Sequence, residues 1–600
     1  MLTSHFAHMV GEYAAKYGSK SAIRYKKINS EQWQSYSWQQ FSDLVDTVAI
    51  ALIHMGIRPS DKVGQYSQNM PENMLTDFAL YSNRAVMIPI YATSAPKQVE
   101  FIVNDSGMKI LCVGEQDQYD NIQQVINNCP GLEHIIAFDD NVVLADDNGM
   151  SMHFSELLAL GNDSSCRATL AERRAAAQLS DVAAIFYTSG TTGNPKGVVL
   201  IHDGMLHQVE MHHQRYPQLG VNDVALNFLP FTHVFERMCT YLYLYVGAEI
   251  AVNLRPQNIQ QTIKEIRPTA MCSVPRFWEK VYIGIKEKLD HYSPVMLGIV
   301  TWAIAIGRKY NINYRRERRE APWWLKLRYH IADKLIFSKV KTTVGIERGA
   351  FFPTAGAAMA DNVNEFFQSL GIPILYGYGL TETYATVSSY PYTDWVMGSI
   401  GRVIEGLDVK IGEDNEILVK GKTVMQGYYN RPDANAEAFT ADGYFRTGDA
   451  GYIKDRDLFL TDRIKDLFKT SNGKYIAPQQ IETLLTADPM IEQVAVIGDK
   501  RNYVTAIVAP NMDMLRQTAQ QHGWLYSNDD ELVNNSDVNK FFLNKIEQLQ
   551  AHMAHYEVIK KITLIKKGFS IEAGELTNTL KLRRAIIQQK YAAQIDAMYA

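Results

Sequence analysis

Residues 183–199 read AAIFYTSGTTGNPKGVV. The apolar run AAIFY has the length of a buried strand, and it ends in a loop of hydroxyls and glycines closed by Lys196 and Gly197. Glycines let backbone N–H groups come close to an anion, hydroxyls add donors, and the ammonium of Lys196 supplies charge for phosphate oxygens. Thr188, Ser189, Gly190, Thr191, Thr192, Gly193 and Lys196 are therefore candidate phosphate-binding residues. The P-loop of the common nucleotide hydrolases is excluded. That pattern needs Gly-Lys followed directly by Ser or Thr, and here Gly197 follows Lys196. An apolar helical pattern is expected straight after the loop.

Upstream, short apolar runs alternate with helical patterns. Residues 38–58 repeat Trp38, Phe41, Leu44, Val45, Val48 and Leu52 at helical spacing. Strands are expected at 62–65, 83–91, 110–113 and 134–138, and further on at 224–229, 249–252, 270–274 and 372–376. Continuous apolar strands alternating with helices predict an α/β fold with a doubly wound parallel sheet. Past about residue 400 the texture changes to short alternating stretches such as 408–411 and 416–419, which predicts a small β-rich lobe. After Asp462 come strands at 494–497 and 505–508 and a polar helical stretch over 530–555. The division expected is a large domain over 1–462 and a small, mobile α+β domain over 463–600.

A chain of 600 residues exceeds one hydrophobic core, and 46% apolar with 21% charged residues is ordinary globular composition. The net charge of −5 gives no electrostatic argument for nucleic acid. Five scattered cysteines without a CxxC pair argue against a zinc site or disulfide scaffold and fit a reducing compartment. With no secretory-type start and no run of 18 apolar residues, the cytoplasm is expected, with peripheral membrane contact left open.

Six more stretches carry chemistry. Residues 376–383, YGYGLTET, bring glycine backbone near a flat ligand and set Glu382 between hydroxyls. Magnesium takes oxygen ligands and suits one carboxylate plus substrate phosphates, although Glu382 taken alone reads as a solvated loop acid. Residues 354–360 read TAGAAMA. Residues 444–451, YFRTGDAG, turn Asp449 out of a tight loop, where a carboxylate can accept from both ribose hydroxyls. Residues 461–469, TDRIKDLFK, place Lys465 and Lys469 four apart, on one face if helical, and a solvated face explains them equally well. Residues 574–584 read GELTNTLKLRR, and residues 228–237 read FLPFTHVFER.

Together and in this order, these stretches resemble the signatures of the adenylate-forming (AMP-binding) superfamily, which includes acyl-CoA synthetases, luciferases and the adenylation domains of peptide synthetases. The resemblance covers nearly the whole chain. It implies that Tyr378 stacks on adenine with Gly379 beside it, that Thr381 contacts the α-phosphate, and that Glu382 and Thr188 hold Mg2+. It implies that Gly356 and Ala357 meet the adenine, although Ala355 and Ala358 depart from the family's pattern. Asp449 and Arg463 would bond the ribose, Asp462 would be the hinge, and Lys469 would join the nucleotide contacts. His233 would gate the passage to the acyl pocket, where the bland alternative is a structural histidine. Lys581 would be the catalytic lysine, with Asn578 standing where the family usually has Pro.

Residues 273–280, SVPRFWEK, and an insert at about 290–345 resemble the long-chain fatty acyl-CoA synthetase branch. That implies ATP, Mg2+, a long-chain fatty acid and coenzyme A, with a homodimer among the assemblies allowed. A fatty acyl-AMP ligase that uses an acyl carrier protein, or a non-catalytic nucleotide- or lipid-binding relative, are the alternatives. Within the insert, residues 308–341 hold eleven Lys or Arg against three acidic residues, interleaved with Trp323, Trp324 and Tyr329, and Trp302 precedes them. Basic and aromatic residues together suit a membrane interface, and equally a solvated patch over core-facing tryptophans. Trp278 either closes an acyl tunnel or belongs to the core.

Overall fold

The computed structural model describes residues 3–145, 149–188, 195–464, 467–470, 475–577 and 581–600, with the backbone alone at 290, 469 and 475. Strands Lys62–Ser67, Val86–Tyr91, Ile110–Val113 and His134–Ala137 pair in parallel, with helices Pro71–Ser82, Pro96–Ser106 and Gln116–Gln123 between them. Alternate residues of these strands enter two separate cores. Met87, Cys112 and Ile136 pack on one face, and Ile88, Leu111 and Ile135 on the other. Burial on both faces is why the strands read as unbroken apolar runs.

The strand Val182–Thr188 joins this sheet through Met87↔Ala184. The stretch after the phosphate loop departs from expectation. It is a second strand, Lys196–Ile201, pairing antiparallel from Thr188↔Lys196 back to Val182↔Ile201, and the helix begins only at His202. Val198, Val199 and Ile201 are β-branched, and Val198 and Leu200 are fully buried, so a pleated register suits them better than a helix. The helix expected over 38–58 ends at His54, and the stretch 530–555 is two helices, Asp529–Asn534 and Ser536–Leu549, because Asn535 caps the second.

A second sheet sets Val224–Asn227 between Glu249–Val252 and Ala270–Met271, all parallel. The β-rich stretch continues an eight-stranded sheet that begins with Phe352–Thr354 and Ile374–Tyr378 and runs through Asp457–Arg463 and Phe445–Lys454 to Leu407–Ile411. Tyr378, Asp449 and Arg463 therefore share one sheet. The last part of the chain has its own cores, made of residues 468–599 around the sheet of Ile491–Ile497, Val504–Pro510 and Ile559–Leu564. Arg276 reaches across to it, donating to the Glu492 carbonyl at 3.2 Å.

Candidate active site

The phosphate hairpin is tied to the Glu382 turn by a short segment that the sequence reading passed over. Gly427–Tyr428 pairs with Val199 and Val198, the Met425 N–H donates to the Glu382 carbonyl at 2.8 Å, and the Tyr429 N–H donates to the Gly197 carbonyl at 2.7 Å. The Tyr428 hydroxyl then donates to Glu382 Oε1 at 3.0 Å, while Lys196 Nζ lies 5.0 Å from the centre of the same ring. Thr188 Oγ1 donates to the Lys196 carbonyl at 3.5 Å. With Thr188 bonded to the Lys196 backbone, Lys196 and Glu382 thus meet across Tyr428. Its signal was a GYYN turn at 427–430, too common to single out from one sequence. Ser189, Gly190, Thr191, Thr192 and Gly193 lie outside the described residues.

Burial pushes the Glu382 carboxyl above the usual carboxylate range. The Tyr428 bond and the Arg463 charge pull it back, and the Asp449 charge adds to the rise. Among the described residues no cluster of three or more His, Cys, Asp or Glu side chains forms a metal cage. A single carboxylate with a neighbouring hydroxyl still fits Mg2+, which takes most of its ligands from water and substrate phosphates.

On the neighbouring sheet, the Tyr378 hydroxyl donates to Asp449 Oδ2 at 2.5 Å, and Arg463 Nε lies 3.4 Å from Asp449 Oδ1. The register Asp449↔Arg463 fixes that pair, and Gly448, with φ +69, makes the turn that brings Asp449 to it. Gly379 is required by a close approach: a Cβ there would sit 2.0 Å from the Ala385 carbonyl oxygen. Thr381 is half-buried at the head of the Glu382 turn. Gly356, with φ +93, and Ala357 are exposed beyond the strand Phe352–Thr354, and the Ala357 carbonyl accepts from the Tyr376 hydroxyl at 3.0 Å.

An apolar cavity opens beside Tyr378, lined by Ala355, Leu375, Phe235, Cys239, Leu242 and Tyr216. His233 caps the helix Val234–Tyr245 that walls it, its Nδ1 accepting from the Phe235 N–H at 3.2 Å. Burial, and then the charge of Lys581, lower the His233 pKa to about 4. Lys581 of the small domain thus stands within electrostatic reach of His233. Trp278 takes no part in the lining. It is fully buried, donating to Ser273 Oγ at 2.9 Å and Thr354 Oγ1 at 3.0 Å, and belongs to the core.

The loop ahead of His233 is held by three buried side chains that the sequence did not reveal. Glu236 accepts from the Leu229 N–H at 3.1 Å, Arg237 Nε donates to the Phe231 carbonyl at 3.1 Å, and Asn69 bridges the Leu229 carbonyl and the Phe231 N–H. Arg237 is in turn paired with fully buried Asp77.

In the small domain, the Thr577 N–H donates to the Lys581 carbonyl at 2.9 Å and the Lys581 N–H donates to Thr577 Oγ1 at 3.0 Å, closing the loop that carries Lys581. Asn578 lies outside the described residues. Arg584 anchors that loop to Glu482 at 2.5 and 2.6 Å, on the helix Pro478–Thr486. Asp462 Oδ2 accepts from the Gln479 N–H of the same helix at 3.1 Å, and Oδ1 from the Arg463 N–H at 2.6 Å. Burial raises the Asp462 pKa to about 6 against these bonds. Lys465 and the side chain of Lys469 lie outside the described residues, and Phe468–Lys469 is a strand rather than part of a helix.

The profile of the AMP-binding enzyme family matches residues 10–429, and that of the AMP-binding enzyme C-terminal domain matches 465–600. The chain is 27% identical over 586 residues to a long-chain-fatty-acid–CoA ligase of Mycobacterium bovis, covering 96% of this chain and 94% of that one. It is 28% identical over 633 residues to the peroxisomal long chain acyl-CoA synthetase 7 of Arabidopsis thaliana, covering 100% and 86%. Among solved structures, the adenylation domain of a carboxylic acid reductase from Segniliparus rugosus, bound to AMP and a co-purified carboxylic acid, superposes with a TM-score of 0.77 at 17% identity, covering 99% and 94%. An anthranilate CoA ligase bound to anthranoyl-AMP gives 0.72 at 18%, covering 100% and 98%. By its sequence match over both parts, this chain belongs to the AMP-binding enzyme family.

Proposed function

We propose that the protein activates a long-chain fatty acid with ATP to give acyl-AMP and pyrophosphate, then transfers the acyl group to coenzyme A with release of AMP. One observation carries the reading. A polar cluster of Lys196, Glu382, Tyr378, Asp449 and Arg463 meets an apolar cavity at Tyr378, with His233 capping the helix that walls it and Lys581 in electrostatic reach of His233. The named relatives are long-chain ligases, which supports the acid and the acceptor.

In this reading Asp449 and Arg463 hold the ribose, Tyr378 lies along the base, and Lys196 with the phosphate loop holds the β- and γ-phosphates. Mg2+, when bound by Glu382 and Thr188, neutralises phosphate charge. The fatty carboxylate attacks the α-phosphorus, and pyrophosphate leaves. Lys581 bridges the incoming carboxylate and the α-phosphate oxygens, offsetting negative charge that grows in the transition state. His233 stays neutral at pH 7 and separates nucleotide from acyl chain. The small domain then turns about Asp462, and the CoA thiol attacks the acyl carbonyl. The nucleophile of each step comes from a substrate, so no protein Ser or Cys is needed. The five free cysteines support a reducing compartment such as the cytoplasm as the reaction's location.

A single-turnover assay with labelled acids of graded length, run with CoA and separately with an acyl carrier protein, tests this. Acyl-CoA and stoichiometric AMP from long acids support it. Acyl transfer to the carrier protein alone, or no AMP from any acid, overturns it.

A further inference from the structure

Among the described residues, ten of the eighteen large hydrophobic side chains exposed to solvent fall between 292 and 335. Two helices carry eight of them. On Pro294–Gly307, Val295, Ile299 and Trp302 recur at spacings of four and three, and on Trp323–Ala332, Trp323, Leu327 and Ile331 recur every four residues. Each set therefore forms a single stripe. Val295 is 76% exposed, Trp323 77% and Leu327 53%, so these are not residues grazing the surface. Away from the stripes the helices are core: Val300 and Ala303 on the first and Leu325 and Ala332 on the second are buried, and Ile306, one turn past Trp302, buries the end of the first stripe. The two helices pack on each other, and the first also packs on Asp361–Ser369.

The charge around the stripes is one-sided. From Tyr292 to Gly307 there is no ionisable Asp, Glu, Lys or Arg, and the next 34 residues, 308–341, carry eleven basic and three acidic side chains in a chain of net charge −5. Lys309 and Arg328 both lie over the Trp324 ring, at 5.0 and 5.4 Å from its centre. Apolar patches of this kind mark interaction sites. A basic border with tryptophans at the apolar edge matches a lipid headgroup layer over an acyl interior. No helix among the described residues is long and apolar enough to cross a membrane, which leaves an arrangement lying along the surface.

We propose that the exposed face of these two helices docks the protein on an anionic lipid bilayer, the apolar stripes entering the acyl boundary and the Lys and Arg side chains meeting the headgroups. This inference is independent of which acid is activated, since it concerns a surface outside the active-site cavity. A membrane contact there would also set the enzyme where an insoluble acid is dissolved.

The full chain, without substrate, is floated with vesicles of phosphatidylcholine alone and of phosphatidylcholine mixed with anionic phosphatidylglycerol, whose negative surface potential attracts basic segments. The triple variant Val295→Ser, Trp323→Ser, Leu327→Ser is run beside it, and its melting curve and ATP binding are compared with wild type as controls. Binding to the anionic vesicles, weakened by 0.5 M salt by roughly tenfold or more as screened charge predicts, and weakened at least about tenfold in the triple variant, supports the proposal. Quenching of tryptophan emission by brominated acyl chains in wild type, reduced in Trp323→Phe, supports it as well. Wild type that fails to float, or a triple variant that floats as well as wild type, overturns it. So does a wild-type dimer that becomes monomeric in the triple variant, which would assign the face to a second copy of the chain.

Discussion

The Tyr378 hydroxyl and the Asp449 carboxylate meet at 2.5 Å between two strands of one sheet, with Arg463 on the carboxylate's other oxygen. Tyrosine and arginine together preset the direction of the acid that we assign to the ribose. Asp449→Ala should raise the Kd for ATP by at least about tenfold, since hydrogen bonds to a charged group contribute roughly 1.5–3 kcal/mol. Tyr378→Phe keeps the ring and the carboxylate, and should cost only about two- to tenfold. Calorimetry with a non-hydrolysable analogue separates the two.

Tyr428 steadies Glu382 in its ionised form, because a hydrogen bond donated to a carboxylate favours the charge. In Tyr428→Phe the Glu382 pKa should rise further. The acid limb of the pH–rate profile for pyrophosphate release then moves to higher pH, with the plateau rate changed little. Glu382→Gln should lose about 100-fold or more at every pH, as removal of a group needed for transition-state charge does.

Lys581→Ala should abolish pyrophosphate formation while leaving ATP binding intact, and acyl transfer from supplied acyl-AMP to CoA should persist. Because the Lys581 charge helps to lower the His233 pKa, the same variant should raise that pKa from about 4 toward the ordinary histidine value. An NMR titration of labelled histidine reads it. A His233 resonance with the same pKa in both proteins would separate the lysine from His233.

Asp462 titrates at about 6 in the folded chain and near 3.8 in the unfolded one. Between those values the folded state binds more protons, so this group's contribution to stability falls as pH rises through the window. Relative to Asp462→Ala, wild type should gain stability on acidification from pH 7 to 5. At pH 7 the variant should still lose about 1–2 kcal/mol, because two backbone N–H groups lose their acceptor. Urea denaturation at the two pH values measures both effects.

Asp77 and Arg237 are wholly buried and paired, and Arg237 holds the Phe231 carbonyl ahead of His233. Asp77→Ala leaves a buried cation uncompensated and should cost about 3–5 kcal/mol. Asn69→Ala breaks only the loop's own bonds. It should leave most of the stability and slow adenylation, with the KM for the acid rising more than that for ATP.

The sequence by itself determined the α/β class and many of the strands, and it pointed to the chemistry proposed above. Strand runs such as 110–113 and 249–252 were read at their observed bounds, since burial on both faces leaves an unbroken apolar run. The phosphate loop, the TGD turn and the GELTNTLKLRR segment were legible because a motif needs particular residue types at fixed local spacing. Local pattern failed where tertiary pairing decided the outcome. Residues 196–201 are a strand because they have a partner in 182–188 on one side and 427–428 on the other; their β-branched side chains suit a strand but do not name those partners. The same reason hid Tyr428, Asn69 and Arg237, ordinary residues until the fold sets them against Glu382 and the His233 loop. Tertiary structure alone also placed Lys581 within reach of His233, and turned a basic, aromatic stretch into two exposed apolar stripes. A sequence records which side chains a segment has. Which of them are covered depends on the neighbours that the rest of the chain supplies.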